Sequence, residues 1–156
     1  MKRLLPVIIA MIIAVTGFAS HADFADGAKA YDGGDYQTAF EEWVVLAWQN
    51  DTRAQVAVAG LYRTGEGRPV DLVNAARWYQ RAADLGNAIA QLNLGEMYML
   101  GLGVARDTVQ AHLWLSLAAR QSRDWARERR DELAKEMTPE QLDHAKRLQR
   151  DWKVRK

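Results

Sequence analysis

AQVAVAGLYRTGEGRPVDLVNAARWYQRAA (residues 54–83) and AQLNLGEMYMLGLGVARDTVQAHLWLSLAA (residues 90–119) are one pattern written twice, 36 residues apart. Eleven of the thirty aligned positions are identical, without a gap. They include Ala54/Ala90, Gln55/Gln91, Tyr62/Tyr98, Gly65/Gly101, Gly67/Gly103, Asp71/Asp107 and Trp78/Trp114. The same offset reaches back once more. Asp35, Ala39 and Ala47 fall on Asp71, Ala75 and Ala83, and Trp43 falls on Tyr79. A fixed period of this length marks a stacked repeat array.

The identities have physical reasons. Ala54, Val58, Ala59 and Tyr62 share one face of a helix, as do Ala90, Leu94, Gly95 and Tyr98. The small residues there admit a second helix at close range. Each Gly-x-Gly pair ends the first helix and turns the chain, because glycine tolerates positive φ. Pro69 stiffens the first of these loops. Asp35, Asp71 and Asp107 stand where a second helix begins, as N-caps do. Gly86, and Asn50 at the equivalent earlier place, end those second helices. No single helix pair of this kind buries its apolar face alone, so neighbours must stack.

The pattern Ala90…Leu94-Gly95…Tyr98…Gly101-x-Gly103…Asp107…Ala111…Trp114…Ala118-Ala119 resembles the Sel1-like repeat, a relative of the tetratricopeptide repeat. The first copy departs from it at Val58-Ala59, where the family prefers Leu-Gly. The resemblance implies an all-α chain, an α/α solenoid of Sel1-type helix pairs with C-terminal capping helices. The expected divisions are a signal peptide at 1–22, an N-terminal half repeat at 23–51, repeats at 52–87 and 88–123, and capping helices at 124–156. Phe24 to Tyr31 is expected as a short first helix, and Asp124 to Glu136 and Thr138 to Trp152 as the cap. Thr138, Pro139 and Gln141 form a capping-box start, and Leu142, Ala145, Leu148 and Trp152 an apolar stripe.

The N-terminus reads differently. Lys2 and Arg3 precede an almost wholly apolar run from Leu4 to Phe18, followed by Ala19, Ser20 and Ala22. This is the grammar of a secretory signal peptide, with cleavage expected after Ala22 or, alternatively, Ala19. The apolar run is shorter than the roughly 20 residues that span a bilayer as a helix. An uncleaved anchor is the rival reading. The chain contains no cysteine, which excludes lipoprotein attachment, disulfides, thiol catalysis and Cys-ligated zinc. A periplasmic or secreted location is expected, with no stable membrane anchor after cleavage.

Residues 23–119 carry 7 basic and 12 acidic side chains, and residues 120–156 carry 12 basic and 8 acidic ones. The basic residues of the cap alternate with acids, as in Arg127-Glu128-Arg129-Arg130-Asp131-Glu132, which describes a solvated ion-paired helix face. No nucleic-acid partner is expected. Candidate chemistry is sparse. No second histidine stands three or four residues from His112 or His144 and the chain has no cysteine, so no metal is expected. Glu41-Glu42 do not converge on a helix, and Ser116 lacks a nucleophile-elbow frame. The glycine pairs follow no strand and lack the P-loop lysine, so no cofactor is expected. An enzyme is not expected.

The remaining signal is a surface. The first helix of each pair lines the concave side of such stacks. Rotating 100° per residue from Ala90 points Leu92, Asn93, Glu96 and Met99 away from the packed face, with Val56 and Arg63 in the first copy. The expected role is binding a protein partner of the cell envelope, as adaptor or regulator. The rivals are a structural subunit of an envelope or polysaccharide assembly and, less favoured, an envelope hydrolase. Of the six tryptophans, Trp125 and Trp152 are expected to pack the cap. Trp48 falls on the polar positions Asp84 and Arg120, and is read either as packing on the N-terminal segment or as an exposed anchor.

Overall fold

The computed structural model describes residues 23–121 and 124–155. The leader expected at 1–22 lies outside them. Eight α-helices follow one another: α1 (Phe24–Asp32), α2 (Tyr36–Trp48), α3 (Thr52–Thr64), α4 (Leu72–Asp84), α5 (Ala88–Leu100), α6 (Thr108–Ala119), α7 (Asp124–Ala134) and α8 (Pro139–Asp151). There is no strand among the described residues. From α1 to α7 each helix packs on the next, and α8 packs back on α6. The fold is the expected all-α solenoid.

Local chemistry sets the ends of the helices. Asp35 accepts from Thr38 N at 3.1 Å, Asp71 from Asn74 N at 2.9 Å, and Asp107 from Val109 N at 2.9 Å. The first helices are capped in the same way by Asp51 and Asn87, two different residue types at equivalent positions. Gly65 and Gly101 close α3 and α5 in the left-handed conformation, at φ 79° and 71°. Asn50 has φ 67°, alone among the described non-glycine residues in the positive region, and Gly86 repeats its role at φ 88°. The loop between the helices of each repeat is also tied identically: Asp71 N donates to Tyr62 O at 2.8 Å and Asp107 N to Tyr98 O at 3.0 Å.

Packing joins the repeats through glycine. Gly103 lies against the start of α4, where a Cβ would stand 2.0 Å from Leu72 O. Gly67 does the same at the start of α2, 2.7 Å from Tyr36 Cβ. The second glycine of each pair therefore seats its loop on the previous repeat's second helix, beyond the turning role read from sequence. Buried Gln55 and Gln91 add a polar tie, donating to Ala47 O at 3.0 Å and Ala83 O at 3.2 Å. Inside the second pair, Gly95 admits Leu115, whose Cγ would lie 2.8 Å from an added Cβ.

The N-terminal unit is a complete hairpin. Three residues, Gly33 to Asp35, join α1 to α2, against the longer Gly65–Asp71 connection, so α1 is out of the 36-residue frame. Trp43 packs on Gly27 and stacks with Phe24 at 5.4 Å, and its Nε1 donates to Phe24 O at 3.1 Å. At the other end α7 stops at Ala134 rather than Glu136. Thr138 and Gln141 form the expected capping box of α8. Trp152 lies edge-on to Trp114 at 6.4 Å, but Trp125 is 42% exposed under the Arg129 guanidinium and does not pack the cap. Beyond α8, Arg155 N donates to Asp84 O at 2.9 Å and its guanidinium meets the Asp84 carboxylate at 3.0 Å.

Candidate protein-binding face

Two hydrogen bonds tie α3 to α5, the helices that carry the candidate face. The two helix starts are joined by Asn87 Nδ2, which donates to Thr52 Oγ1 at 3.2 Å. Further along the two helices, Arg63 Nη1 donates to Asn93 Oδ1 at 2.7 Å, across the repeat boundary. Arg63 is exposed and its guanidinium lies 5.9 Å from the Tyr79 ring centre. Between these ties the surface is open. A Cβ added to Gly60 would meet nothing within 4 Å.

The other residues sit lower. Val56 is half-buried against the main core, and Leu92 and Met99 against the smaller cluster that includes Leu115, Ala126 and Leu133. Glu96 occupies the position of Gly60 in the second copy and is half-buried. Burial pushes its carboxyl pKa up, while Arg129 and Arg63 pull it down. Met99 continues into a groove of about 450 Å³ between the end of α5 and α7, faced by Arg106, Arg129 and Leu133. α7 folds over the Met99 side, and nothing in the helical wheel of α5 signals that.

A second surface runs along α4. Trp48 is 62% exposed, and its ring meets Trp78 edge-on at 5.0 Å. The Arg81 guanidinium lies 4.3 Å from the Trp48 ring centre and 4.9 Å from that of Trp78. Together with Val73, Arg77 and Val104 these residues line a groove of about 540 Å³. Trp48 thus rests on the following repeat rather than on the N-terminal segment.

The histidines part company. His144 is exposed on α8. His112 is buried in α6, its Nδ1 3.3 Å from Ser116 Oγ. Burial, and then the Arg130 and Lys146 charges, push its pKa down to about 4, so the imidazole is neutral at pH 7. Among the described residues no group of three or more His, Asp or Glu side chains is placed to hold a metal ion. None of the described helices is long and apolar enough to cross a membrane.

Comparison with known proteins agrees with this architecture. The Sel1 repeat family matches residues 52–87 and 88–122. Chitin synthase regulatory factor 3 of Schizosaccharomyces pombe is 38% identical over 95 residues, covering 59% of this chain and 10% of its own. The chain therefore spans about a tenth of that relative's length. Among solved structures, a protective antigen of uropathogenic Escherichia coli with an SLR fold superposes with TM-score 0.78 and 30% identity, over 83% of this chain and 28% of that one. A Sel1 repeat protein from Oxalobacter formigenes gives 0.68 and 31%, over 71% of this chain and 46% of its own. With two matched repeats, the glycine-seated stacking of their helix pairs and these structural likenesses, the chain is a Sel1-like repeat protein.

Proposed function

We propose that this chain is an exported scaffold that binds another protein of the cell envelope, as adaptor or regulator, through the α3–α5 face. Sel1 repeats are generally protein-interaction scaffolds. The observation that carries the choice of face is its openness between fixed points: Gly60 leaves bare helix backbone beside the Arg63–Asn93 bond. A partner side chain can approach that backbone closely, while Arg63 and Glu96 offer charges of both signs and Val56 and Leu92 apolar contact. The fission-yeast relative's name, a regulatory factor, favours regulation over a purely structural role. The leader-like stretch at 1–22 supports the envelope location.

The test is in-cell cross-linking of the tagged protein in its native host, read by mass spectrometry. The variants are Gly60→Arg and Arg63→Glu. Gly60→Arg enters open space and leaves the core alone, whereas a charge at Leu92 would disturb the cluster beneath it. One dominant envelope protein, captured by the wild type and lost in folded variants, is the expected result. Capture that is unchanged in both variants would remove this face from consideration. Fractionation of the tagged protein checks the location, and a cytoplasmic pool alone would sink it.

A further inference from the structure

The repeat leaves one polar pair unexplained. His112 and Ser116 lie one turn apart in α6, with relative exposures of 5% and 1%. The equivalent residues of the first repeat are Ala76 and Gln80, so the stacking pattern does not demand them. They line a solvent-open pocket of about 290 Å³ between α6, α7 and α8. Arg130 and Asp131 reach it from α7, and Lys146 and Gln149 from α8.

The hydrogen-bonding capacity there is only partly used. Ser116 occupies His112 Nδ1, and Nε2 has no hydrogen-bond partner among the described residues. Arg130 engages Asp131 through Nε and Nη2, at 2.8 and 2.6 Å, leaving Nη1. Lys146 has no carboxylate within 4.0 Å among the described residues, and Asp131 is the only acid lining the pocket. Arg130 and Lys146 turn donors from α7 and α8 towards the pocket, and His112 Nε2 adds a third from α6 in the tautomer in which Ser116 Oγ donates to Nδ1; the pocket lining carries one more positive charge than negative. That is the donor set of an anion site.

We propose that this pocket binds a small free oxyanion, a phosphate or a short carboxylate, held by His112, Arg130 and Lys146. Such a ligand bridges the last repeat to both capping helices. It also changes the charge balance at His112. Arg130 from α7 and Lys146 from α8 oppose protonation of the imidazole, and Asp131 from α7 favours it. An added anion favours the imidazolium, so anion binding tightens as pH falls and, reciprocally, raises the His112 titration midpoint.

The test is NMR of the histidine rings in the full chain at pH 6, titrating inorganic phosphate against chloride at equal ionic strength. Exposed His144 is the internal control. The expected result is a saturable shift of the His112 ring, half complete at about 1–10 mM as a few charge-assisted contacts allow. The shift should vanish in Lys146→Gln, whose side chain is exposed, while the helical spectrum stays unchanged. A matching response to acetate supports the oxyanion class as a whole; a response to one anion alone supports that member. The same response to chloride, no saturable response, or a response that survives Lys146→Gln overturns the proposal.

Discussion

Gly101→Ala and Gly103→Ala separate turning the chain from seating it. Both glycines lie in the same loop, at φ 71° and 68°. Alanine in this region costs about 1–2 kcal/mol at either site. The difference is what its Cβ meets. At residue 101 the nearest atom is Arg106 Cβ at 3.5 Å, an ordinary contact. At residue 103 it meets Leu72 O at 2.0 Å, Leu72 C at 2.3 Å and Val73 N at 2.9 Å, all backbone of α4's first turn. None of these atoms can swing aside, so the loop must lift off the previous repeat. Overpacking of this kind adds about 1–3 kcal/mol. The expected losses are about 1–2 kcal/mol for Gly101→Ala and about 2–5 kcal/mol for Gly103→Ala. Urea unfolding followed by circular dichroism reads the difference. With a slope of about 2 kcal/mol/M, Gly103→Ala should unfold roughly 1 M earlier than Gly101→Ala. Equal midpoints would refute the claim that this glycine holds one repeat against the next.

The helical glycines give a second contrast: Gly60→Ala should stabilise by about 0.5–1 kcal/mol through helix propensity, while Gly95→Ala, pressed on Leu115, should destabilise by about 1–2 kcal/mol, both by thermal melting. Gln91→Leu should cost about 1–2 kcal/mol in urea, since it removes the bond to Ala83 O and the 3.0 Å acceptor for Gln121. Gln55→Leu should be nearly neutral, because Gln55 Oε1 is buried without a donor where Leu85 replaces the second repeat's Gln121; an equal cost for both would show that the Gln121 bond contributes nothing. His112 titrates at about 4 in the folded chain against an ordinary value of 6.5, so between those values the unfolded chain holds the extra proton. Stability is therefore fully present above pH 6.5 and falls as the pH drops towards 4. Urea midpoints at pH 7 and pH 5 should differ, and His112→Gln should flatten that difference; an unchanged slope would mean that other groups set it.

The sequence carried the frame because the frame is made of residues with few substitutes. Asp at an N-cap, glycine or asparagine at positive φ, and alanine between close helices each answer a local demand. Even Asn50 was legible, since asparagine is the next residue able to take the left-handed turn. The first-helix caps were missed because Asp51 and Asn87 do one job with two residue types. Gly95 was legible as a small residue that admits the paired helix, which arrives as Leu115, whereas the seat of Gly103 on α4 was not legible. The candidate face was readable as a direction only. Its cover by α7, the seat of Trp48 on Trp78, and the exposure of Trp125 all depend on how neighbouring units dock.

The tie between Arg155 and Asp84 bears on how such a protein can evolve. Solenoids usually grow or shrink by copying a unit, because each unit knows only its neighbours. Here the chain beyond the last helix reaches past the second repeat to grip the first. The residue 36 positions after Asp84 is Arg120. An inserted duplicate of the second repeat would carry the tail outward by one unit and set its guanidinium against another guanidinium. The latch closes only where the unit before the last repeat carries an acid at this position, so it fixes which units can stand together at this end of the array rather than how many there are.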